Sequence, residues 1–571
     1  MRAHRALGLT AATVFVACSQ DVAVADSVGV GTSAAAETTA AAETTTAAET
    51  TTSEGTGTTT LGHDETTADA SSSTTSASGG AIYDVGAGPQ GEDTGQPVDR
   101  CNIGDDLDGF GACDVGPFAP SFDAEIQWQW GENGASSLST PMVANLTDDN
   151  NDGAVDLCDT PDIVLTVRYP GDMMKPVPEA QVEMLAFDGA TGEIHWSVQG
   201  DFSYTSAPAL GDIDGDGLVE IVTIEGNHLA AYSNLGVLEW AGDDAPELFV
   251  NGIGIGAGIG IGLADLDADA DVEILAGRAI VDHLGNLLHT VGASGDFAGF
   301  AVDLDDDGDL EYVHSAGASH HDGTNYFTVP GEQQGHPQVA DIDDDGLPEI
   351  IYSAFTGISI YEHDGTPKLS NELADLAGLA AAIHDLDGDG AADIGVGHMS
   401  FGPGDAISAF SVLDFDGDAL TARWSNPTQG GCCSSGTAFD FLGDATAESL
   451  FADDSHVYVY DAAGVALTSI PRGSPTAYDF PVVADVDNDG SAEIVVSVEA
   501  PGSPAIMVIR DANDGWVPAR RIWNQHAYHV TNVREDGTIP QHQPKNWEHL
   551  NTFRTQAQRG EGGVCNPEPA G

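Results

Sequence analysis

The sequence of 571 residues has few basic side chains. It carries 16 Lys and Arg against 92 Asp and Glu, which gives a formal net charge of −76. A surface of this sign repels phosphate backbones and anionic headgroups. This imbalance excludes nucleic acid as a natural partner and argues against binding to an anionic membrane surface.

Catalytic signatures are also absent. The sequence contains no G-x-S-x-G, H-E-x-x-H or Walker A pattern. The glycine-rich run at 252–262 leads into LADLDAD instead of opening a helix, so we interpret it as close backbone packing. The histidines, including His320, His321, His526 and His529, are interpreted as ordinary strand and turn residues. We therefore assign no catalytic or cofactor-binding residue, and expect a protein that is not an enzyme.

Large apolar residues are scarce over the first hundred positions, except at the very start. Residues 1–25 have the basic start and short apolar run of a secretory signal peptide. Cleavage has two alternatives: a lipobox-like FVAC that leaves Cys18 to carry a lipid, or an ordinary site after Ala25. We favour the lipoprotein, because residues 26–99 are almost wholly small and polar and predict a disordered tether.

Cysteines are few, and no C-x-x-C spacing suggests a thiolate metal site. Besides Cys18 there are six, an even number that predicts disulfides in an exported chain. Cys101 and Cys113 fall in a short Cys-bracketed segment at 100–123 and are predicted to pair locally. Cys432 and Cys433 could bond to each other, or reach separately for Cys158 and Cys565.

What the sequence does have is a repeat, seen clearly at 336–353. Its centre is Asp341-x-Asp343-x-Asp345-Gly346-x-x-Glu349, an acidic nine-residue loop between two apolar, β-branched segments. Acids at loop positions 1, 3, 5 and 9, with Gly at position 6 for the sharp turn, can wrap oxygen ligands around a hard cation such as Ca²⁺. The flanks show a strand pattern, not a helical one, so this is not an EF-hand.

Eight copies of this unit occur, and seven keep the acids needed for calcium. We therefore expect about seven calcium ions. The predicted metal ligands are Asp148, Asn150, Asp152 and Asp156; Asp212, Asp214, Asp216 and Glu220; Asp265, Asp267, Asp269 and Glu273; Asp303, Asp305, Asp307 and Glu311; Asp341, Asp343, Asp345 and Glu349; Asp385, Asp387, Asp389 and Asp393; and Asp485, Asp487, Asp489 and Glu493.

Two copies depart from the pattern. Ala270 replaces the glycine of the third copy and puts a Cβ where a left-handed conformation is usual, so we expect weaker binding there. The copy at Asp440 has Leu442 at position 3 and Ala445 at position 6. We expect that loop to hold no metal.

Most copies are followed by two apolar strands joined by a turn, a hairpin signature, as at 184–196 and 358–369. Two strands around the loop and two in the hairpin make a four-stranded sheet, the unit of a β-propeller. The units resemble FG-GAP or VCBS repeats of integrin-α-like propellers. The resemblance implies an all-β propeller over 124–516, with eight blades favoured and seven as the alternative. The strand at 124–130 is predicted to pair with the last repeat and close the circle.

The last segment, 517–571, breaks the repeat and is relatively basic. We predict that it docks across the propeller, with Trp523 and Trp547 as anchors. The expected function is a calcium-stabilised, non-catalytic surface propeller for adhesion or ligand binding. The alternatives are a calcium-dependent polysaccharide lyase, because rhamnogalacturonan lyases also include propellers with similar repeats, or a structural envelope protein.

The expected partner is an unknown protein or glycan ligand at the cell surface, bound by a monomer. Contact with a membrane would be through the lipid anchor alone. A lipid with a polar stalk resembles the surface lipoproteins of Gram-negative bacteria. The expected location is therefore the outer membrane or cell surface of such a bacterium, with secretion as the alternative.

Overall fold

The computed structural model describes residues 101–567 except 104–105, 108, 114–120, 170–181, 246–247, 249–259, 293–298, 355, 373–376, 379, 401–406, 431–434, 477, 501 and 561. The predicted signal peptide, Cys18, the tether, Cys432, Cys433 and most of the run at 252–262 lie outside the described residues. Regular structure among the described residues is β-strand, apart from three 3₁₀ turns at Glu132–Gly134, Gly331–Gln333 and Asn546–Glu548. None of the helices in this part of the chain is long and apolar enough to cross a membrane.

Two strands precede the first full sheet, β1 (Gly111–Ala112) and β2 (Ala124–Trp130). Blade 1 contains β3 (Met142–Ala144), β4 (Asp162–Arg168), β5 (Val182–Asp188) and β6 (Ile194–Gly200). Blade 2 contains β7 (Ala209–Gly211), β8 (Glu220–Glu225), β9 (His228–Tyr232) and β10 (Leu238–Ala241). Blade 3 contains β11 (Ile261–Ala264), β12 (Glu273–Ala276), β13 (Ala279–Val281) and β14 (Leu287–Thr290). Blade 4 contains β15 (Phe300–Val302), β16 (Glu311–His314), β17 (Gly317–Ser319) and β18 (Asn325–Thr328).

Blade 5 contains β19 (His336–Ala340), β20 (Glu349–Ala354), β21 (Gly357–Glu362) and β22 (Pro367–Glu372). Blade 6 contains β23 (Ala377–Gly378), β24 (Ala382–His384), β25 (Asp393–Ser400), β26 (Ile407–Phe415) and β27 (Leu420–Thr428), with β23 and β24 both paired to β25. Blade 7 contains β28 (Gly436–Phe439), β29 (Glu448–Ala452), β30 (His456–Tyr460) and β31 (Ala466–Pro471). The last strands are β32 (Val482–Ala484), β33 (Glu493–Ser497), β34 (Ile506–Asp511), β35 (Arg559–Gly560) and β36 (Gly563–Asn566).

The sheets follow the repeat. In blades 1 to 5 and in blade 7 the strands pair with their neighbours in the chain as antiparallel meanders. Their inner faces are lined by Val, Ile, Leu and Ala, whereas the outermost strands alternate between exposed and half-buried positions, as in the pattern of β6. The prediction of an all-β propeller with four-stranded blades is confirmed, and the eight blade-like sheets among the described residues fit eight blades.

Blade 8 is built from both ends of the propeller. Its strand order is β2-β34-β33-β32, so the early strand at 124–130 forms the outer edge of the last repeat. Ile126 pairs with Ile509 and Trp130 with Ile506. The predicted pairing of this strand with the C-terminal repeat is therefore confirmed, and the open edge of β34 is covered.

An aromatic contact joins each of several blades to the next. Trp196 of blade 1 lies against Gly236 of the blade 2 hairpin, where a Cβ would come 2.8 Å from the indole and where φ is +72°. Only glycine fits both conditions. The same contact recurs in the pairs Trp128 and Gly192, Trp240 and Gly285, His289 and Gly323, Phe327 and Gly365, and Trp424 and Gly464. Trp128 belongs to blade 8 and Gly192 to blade 1, so this contact also joins the last blade to the first.

The C-terminal segment contacts the inner side of all eight blades. Trp523 exchanges both backbone hydrogen bonds with Val143, and its side chain is fully buried. The further hydrogen bonds, in blade order, join Leu210 to Asn524, Leu263 to Gln525, Ala301 to Gln543, Asp341 to Asn551, Ile383 to Phe553, Thr437 to Arg554 and Val483 to Gln556. Trp547 is also buried. The C-terminal segment therefore links all eight blades through hydrogen bonds on their inner side.

The disulfides differ from the predicted pairs. Cys101 bonds to Cys158 and Cys113 to Cys565, so the predicted Cys101–Cys113 pair is wrong, as is the idea that Cys432 and Cys433 reach for Cys158 and Cys565. The reason is that β1 and β36 pair in parallel, which brings Cys565 beside Cys113 across 452 residues. Cys101 is drawn instead to the first acidic loop, where the Leu157 N–H donates to its carbonyl oxygen. Two disulfides are typical of a chain that folds in an oxidising compartment.

Trp523→Ala should lower the stability of the whole propeller. Removing a fully buried Trp costs about 3–5 kcal/mol, and here it also leaves a cavity against the inner strand of blade 1. Leu347→Ala, at a side chain that is 46% exposed, is the matched control and should change stability by less than about 0.5 kcal/mol. Urea unfolding followed by tryptophan fluorescence and circular dichroism tests this. Equal midpoints for Trp523→Ala and the parent chain would contradict the central role of the segment.

Candidate metal sites in the blade loops

The acidic loops share one hydrogen-bond pattern, which we describe by loop position. In blade 5 the position 1 carboxylate, Asp341, accepts hydrogen bonds from the N–H groups of Asp345 and Gly346 at 3.2 and 2.9 Å. The position 9 carboxylate, Glu349, accepts one from the N–H of Ile342 at 3.0 Å. The loop connects the innermost strand to the second strand. Its acids are thereby held facing one another.

The position 9 contact recurs in every compact loop at 2.9 or 3.0 Å. The pairs are Ile213 and Glu220, Leu266 and Glu273, Leu304 and Glu311, Leu386 and Asp393, Phe441 and Glu448, and Val486 and Glu493. The loop at Asp440 therefore keeps the geometry, although it has lost the acid at position 3. Ala270 and Ala445 adopt the left-handed conformation expected at position 6, with φ of +75° and +63°.

The acids at positions 1, 3 and 5 converge. In blade 2, one carboxylate oxygen each of Asp212, Asp214 and Asp216 lies within 4.8 Å of the others, and the same holds for Asp265, Asp267 and Asp269 in blade 3. Three oxygens at this spacing match the ligands that Ca²⁺ prefers.

The loop of blade 8 buries two carboxylates, each with one oxygen that is not hydrogen-bonded within the described part of the chain. Asp485 and Glu493 are both fully buried, and neither Asp485 Oδ1 nor Glu493 Oε1 has a hydrogen-bond partner among the described residues. Burial raises the pKa of Asp485 to about 7 and that of Glu493 well above its ordinary value. An orphaned carboxylate oxygen in a buried site is costly unless a cation or proton satisfies it. The residues of this loop therefore suit a hard divalent cation.

The expanded loop of blade 1 differs from the compact ones. Asp148, Asn150 and Asp152 form the expected turn, with the N–H of Asp152 donating to Asp148 at 3.0 Å. Asp156, however, accepts from the N–H of Cys158, and Asp159 accepts from the N–H groups of Asn150 and Asp156 at 3.1 and 2.9 Å.

Asp162 is a second acid of blade 1 that the sequence did not predict as a ligand. Asp162, which pairs with Ala144 as Glu349 pairs with Ala340, accepts from the N–H of Leu146 at 2.9 Å. It is the structural counterpart of position 9. Both Asp159 and Asp162 were missed because nine residues are inserted before this strand.

The outermost strand of every blade contains a β-bulge, and one residue of each bulge was also missed. These bulge residues are Gln127, His195, Glu239, Leu288, Tyr326, Lys368, Arg423 and Leu467. A bulge re-aims a side chain, and for some of these residues it does so toward the loop of the same blade. The sequence signal was available, since most of them lie three residues after the hairpin glycine.

Several bulge residues contact loop acids. Lys368 Nζ lies 2.5 Å from Asp343 and 2.8 Å from Glu349. Gln127 donates to Asp487 at 2.7 Å, and His195 lies 3.3 Å from Asp162. Arg423 makes equivalent contacts in blade 6. These side chains are therefore part of the site.

Blade 4 has two further cationic or titratable neighbours. His320, from the end of the third strand, contacts Glu311 at 3.0 Å. Lys545 of the C-terminal segment contacts the exposed Asp306 at 2.7 Å and lies 3.7 Å from Asp303. Of the other histidines singled out from the sequence, His321 lies on the surface near Asp309, whereas His526 and His529 are buried in the C-terminal segment.

Comparisons with known proteins support the fold alone. No protein-family model matches the chain, and no curated protein matches it. Among solved structures, the V. cholerae biofilm matrix protein Bap1 matches with a TM-score of 0.65 and 18% identity, over 78% of this chain and 100% of that one. The Bacillus licheniformis rhamnogalacturonan lyase matches with a TM-score of 0.49 and 15% identity, over 80% and 83%. The likeness to Bap1 shows a shared all-β, propeller-like fold, and the FG-GAP assignment remains a resemblance.

Without calcium, the protein should lose stability between pH 7 and pH 8. Burial raises the pKa of Glu220 and Glu273 to about 8 and that of Glu448 to about 9. An unfolded Glu has already released its proton near pH 4.3, so in this window the folded state holds more protons and rising pH favours unfolding. The buried histidines do not oppose this trend, because they are neutral in both states above about pH 6.5.

Urea unfolding in EDTA at pH 7, 7.5 and 8 measures this effect. After allowance for solvent screening, we expect a loss of about 1 kcal/mol or more over the window. Glu220→Gln, which cannot ionise, should make the decline shallower. A free energy of unfolding that is constant or rises with pH would contradict the burial of these carboxyls.

Proposed function

We propose that this protein is an exported, calcium-stabilised β-propeller that binds a protein or glycan ligand at the cell surface and has no catalytic activity. Calcium would be held by the acids of the blade loops and would supply fixed positive charge between carboxylates that otherwise repel each other. Cys18 would carry the lipid that anchors the chain, and residues 26–99 would hold the propeller away from the membrane. Secretion without an anchor is the alternative.

The observation that carries this proposal is how the chain uses its few basic side chains. In the described residues most of them form ion pairs with acids of the same chain. The pairs are Arg168 with Glu499, Lys368 with Glu349, Arg423 with Asp393, Arg472 with Asp479, Arg510 with Glu125, Arg520 with Asp106, Arg521 with Glu535, and Lys545 with Asp306. A lyase acting on acidic polysaccharide needs basic groups that face the substrate.

The axis of the propeller supports the same proposal. The inner end of every blade is covered by the C-terminal segment, whose Arg520, Arg521 and Arg554 are buried. Small ligands generally bind in concave pockets. Here the outer acids of the loops remain exposed, for example Asp214 and Asp216. A ring of loops carrying calcium would thus be the accessible surface for a ligand.

Binding and lyase activity can be tested with the same preparation. The exported protein is incubated in millimolar calcium with rhamnogalacturonan, polygalacturonate and neutral glycans, and product is followed by the ultraviolet absorbance of unsaturated uronates. Retention on immobilised glycans and on bacterial surface extracts is measured in parallel, with EDTA as the control.

We expect calcium-dependent retention on at least one surface without unsaturated product. Asp214→Asn and Asp216→Asn should weaken retention. Ile126→Ala, at an exposed side chain of an outermost strand and away from the loops, should leave it unchanged. Accumulation of unsaturated product would overturn the proposal in favour of a lyase. Absence of any retention would favour a structural envelope protein.

A further inference from the structure

We propose that the bulge residue of each outermost strand decides whether the loop of that blade takes calcium, and that Lys368 and Arg423 act as built-in cations in its place. This inference rests on the proposed calcium binding, and it predicts which loops are metal-free. Seven loops keep acids at the ligand positions, but blades 5 and 6 also contain one of these cations. Calcium would then occupy five.

In blade 5, Lys368 lies within an acid cluster and not on open surface. Its Nζ contacts one oxygen each of Asp343, Glu349 and Glu362 at 2.5, 2.8 and 3.1 Å. Asp343 and Glu349 are loop positions 3 and 9, and the Glu349 carboxylate is fully buried. With one oxygen of Glu349 on the N–H of Ile342 and the other on Lys368, both acceptors of that carboxylate are satisfied.

Blade 6 repeats the arrangement with a different cation. The guanidinium of Arg423 bonds to both oxygens of Asp393, at 2.9 and 3.0 Å, and also lies 2.8 Å from Asp387 and 2.9 Å from Asp414. Asp387 and Asp393 are again positions 3 and 9. Two N–H groups of the guanidinium donate to the two oxygens of one carboxylate, and such a bidentate contact is strong and directional.

In the other blades, the position that Lys368 and Arg423 occupy is filled by a different residue. The bulge residue is Leu288 in blade 3, Glu239 in blade 2 and Gln127 in blade 8. In blade 8, Glu493 Oε1 has no hydrogen-bond partner among the described residues, whereas its counterpart in blade 5 is bonded to Lys368. In blade 1, the bulge residue is a histidine: His195 lies 3.3 Å from Asp162 and 3.6 Å from Asp149, and among the described residues it forms no ion pair with Asp148 or Asp152.

Electrostatics explains why a cation at the bulge competes with calcium. A second cation a few ångströms from an ammonium or guanidinium held by three carboxylates would be repelled, and the bound oxygens would have to exchange partners. Where the bulge residue is Glu239, Leu288 or Gln127, the position 9 carboxylate of that blade forms no ion pair with Lys or Arg among the described residues. Lys545 in blade 4 does not act in this way, because its close contact is to the exposed Asp306 at position 4.

A reciprocal exchange tests the inference. Lys368→Leu gives blade 5 the residue that blade 3 has, and Leu288→Lys does the reverse. Bound calcium per chain is measured on the exported protein by equilibrium dialysis followed by metal analysis. Unfolding temperatures are measured in EDTA and in calcium. Leu467→Lys changes the bulge residue of blade 7, whose loop lacks an acid at position 3, and is the matched control.

We expect five calcium ions in the parent chain, six in Lys368→Leu and four in Leu288→Lys, with no change in Leu467→Lys. Lys368→Leu should unfold at a lower temperature in EDTA and regain the loss in calcium. Leu288→Lys should gain less from calcium than the parent chain. If Lys368→Leu does not fold even in calcium, the count for Leu288→Lys still decides.

The failure of this inference is distinct from that of the proposed function. A parent chain that binds no calcium would remove the calcium proposal itself. A parent chain that binds calcium, with the same count in Lys368→Leu and Leu288→Lys, would overturn the role of the bulge residue while leaving calcium binding intact.

Discussion

The structure depends on how each blade neutralises carboxylates that it buries beside the propeller axis. The turn between the first and second strands requires acids at positions 1 and 9 to accept backbone N–H groups, as Asp341 and Glu349 do. Those hydrogen bonds shape the loop, but they also gather negative charges where desolvation opposes ionisation. The pKa values of Glu220, Glu273 and Glu448 are raised because burial opposes the ionisation of these carboxyls.

The blades resolve the conflict in different ways. Blades 5 and 6 supply Lys368 and Arg423 from the outermost strand. Blade 7 has lost one acid, and Gln558 of the C-terminal segment donates to Asp440 at 2.7 Å. The remaining loops keep their predicted oxygen ligands, and no Lys or Arg of the described residues bridges positions 3 and 9 in them. These are the loops for which calcium is proposed. A repeat that looks uniform in sequence thus yields sites of different kinds.

Much of the fold could be predicted from the sequence, because the recurring spacing of the repeat shows which residues are equivalent in each copy. The spacing of acids and apolar residues located the loops and hairpins, and the likeness of AEIQWQW to the last strand of a blade predicted the closure of blade 8. The disulfides could not be predicted, since Cys113 meets Cys565 only through the return of the C-terminal segment. Nor could the roles of Lys368 and Arg423, because a charge on an outer strand is expected to face solvent until the bulge turns it inward.

Thermal unfolding of the protein in EDTA, in millimolar calcium and in millimolar magnesium tests calcium binding by the loops most directly. At ten times Kd each occupied site adds about 1.4 kcal/mol, so several sites should raise Tm by roughly 5 °C or more. Magnesium should give a much smaller rise, because it requires stricter octahedral geometry than these loops offer. An equal Tm in EDTA and calcium would contradict the account, and the acids would then have to be read as turn residues of a metal-free propeller.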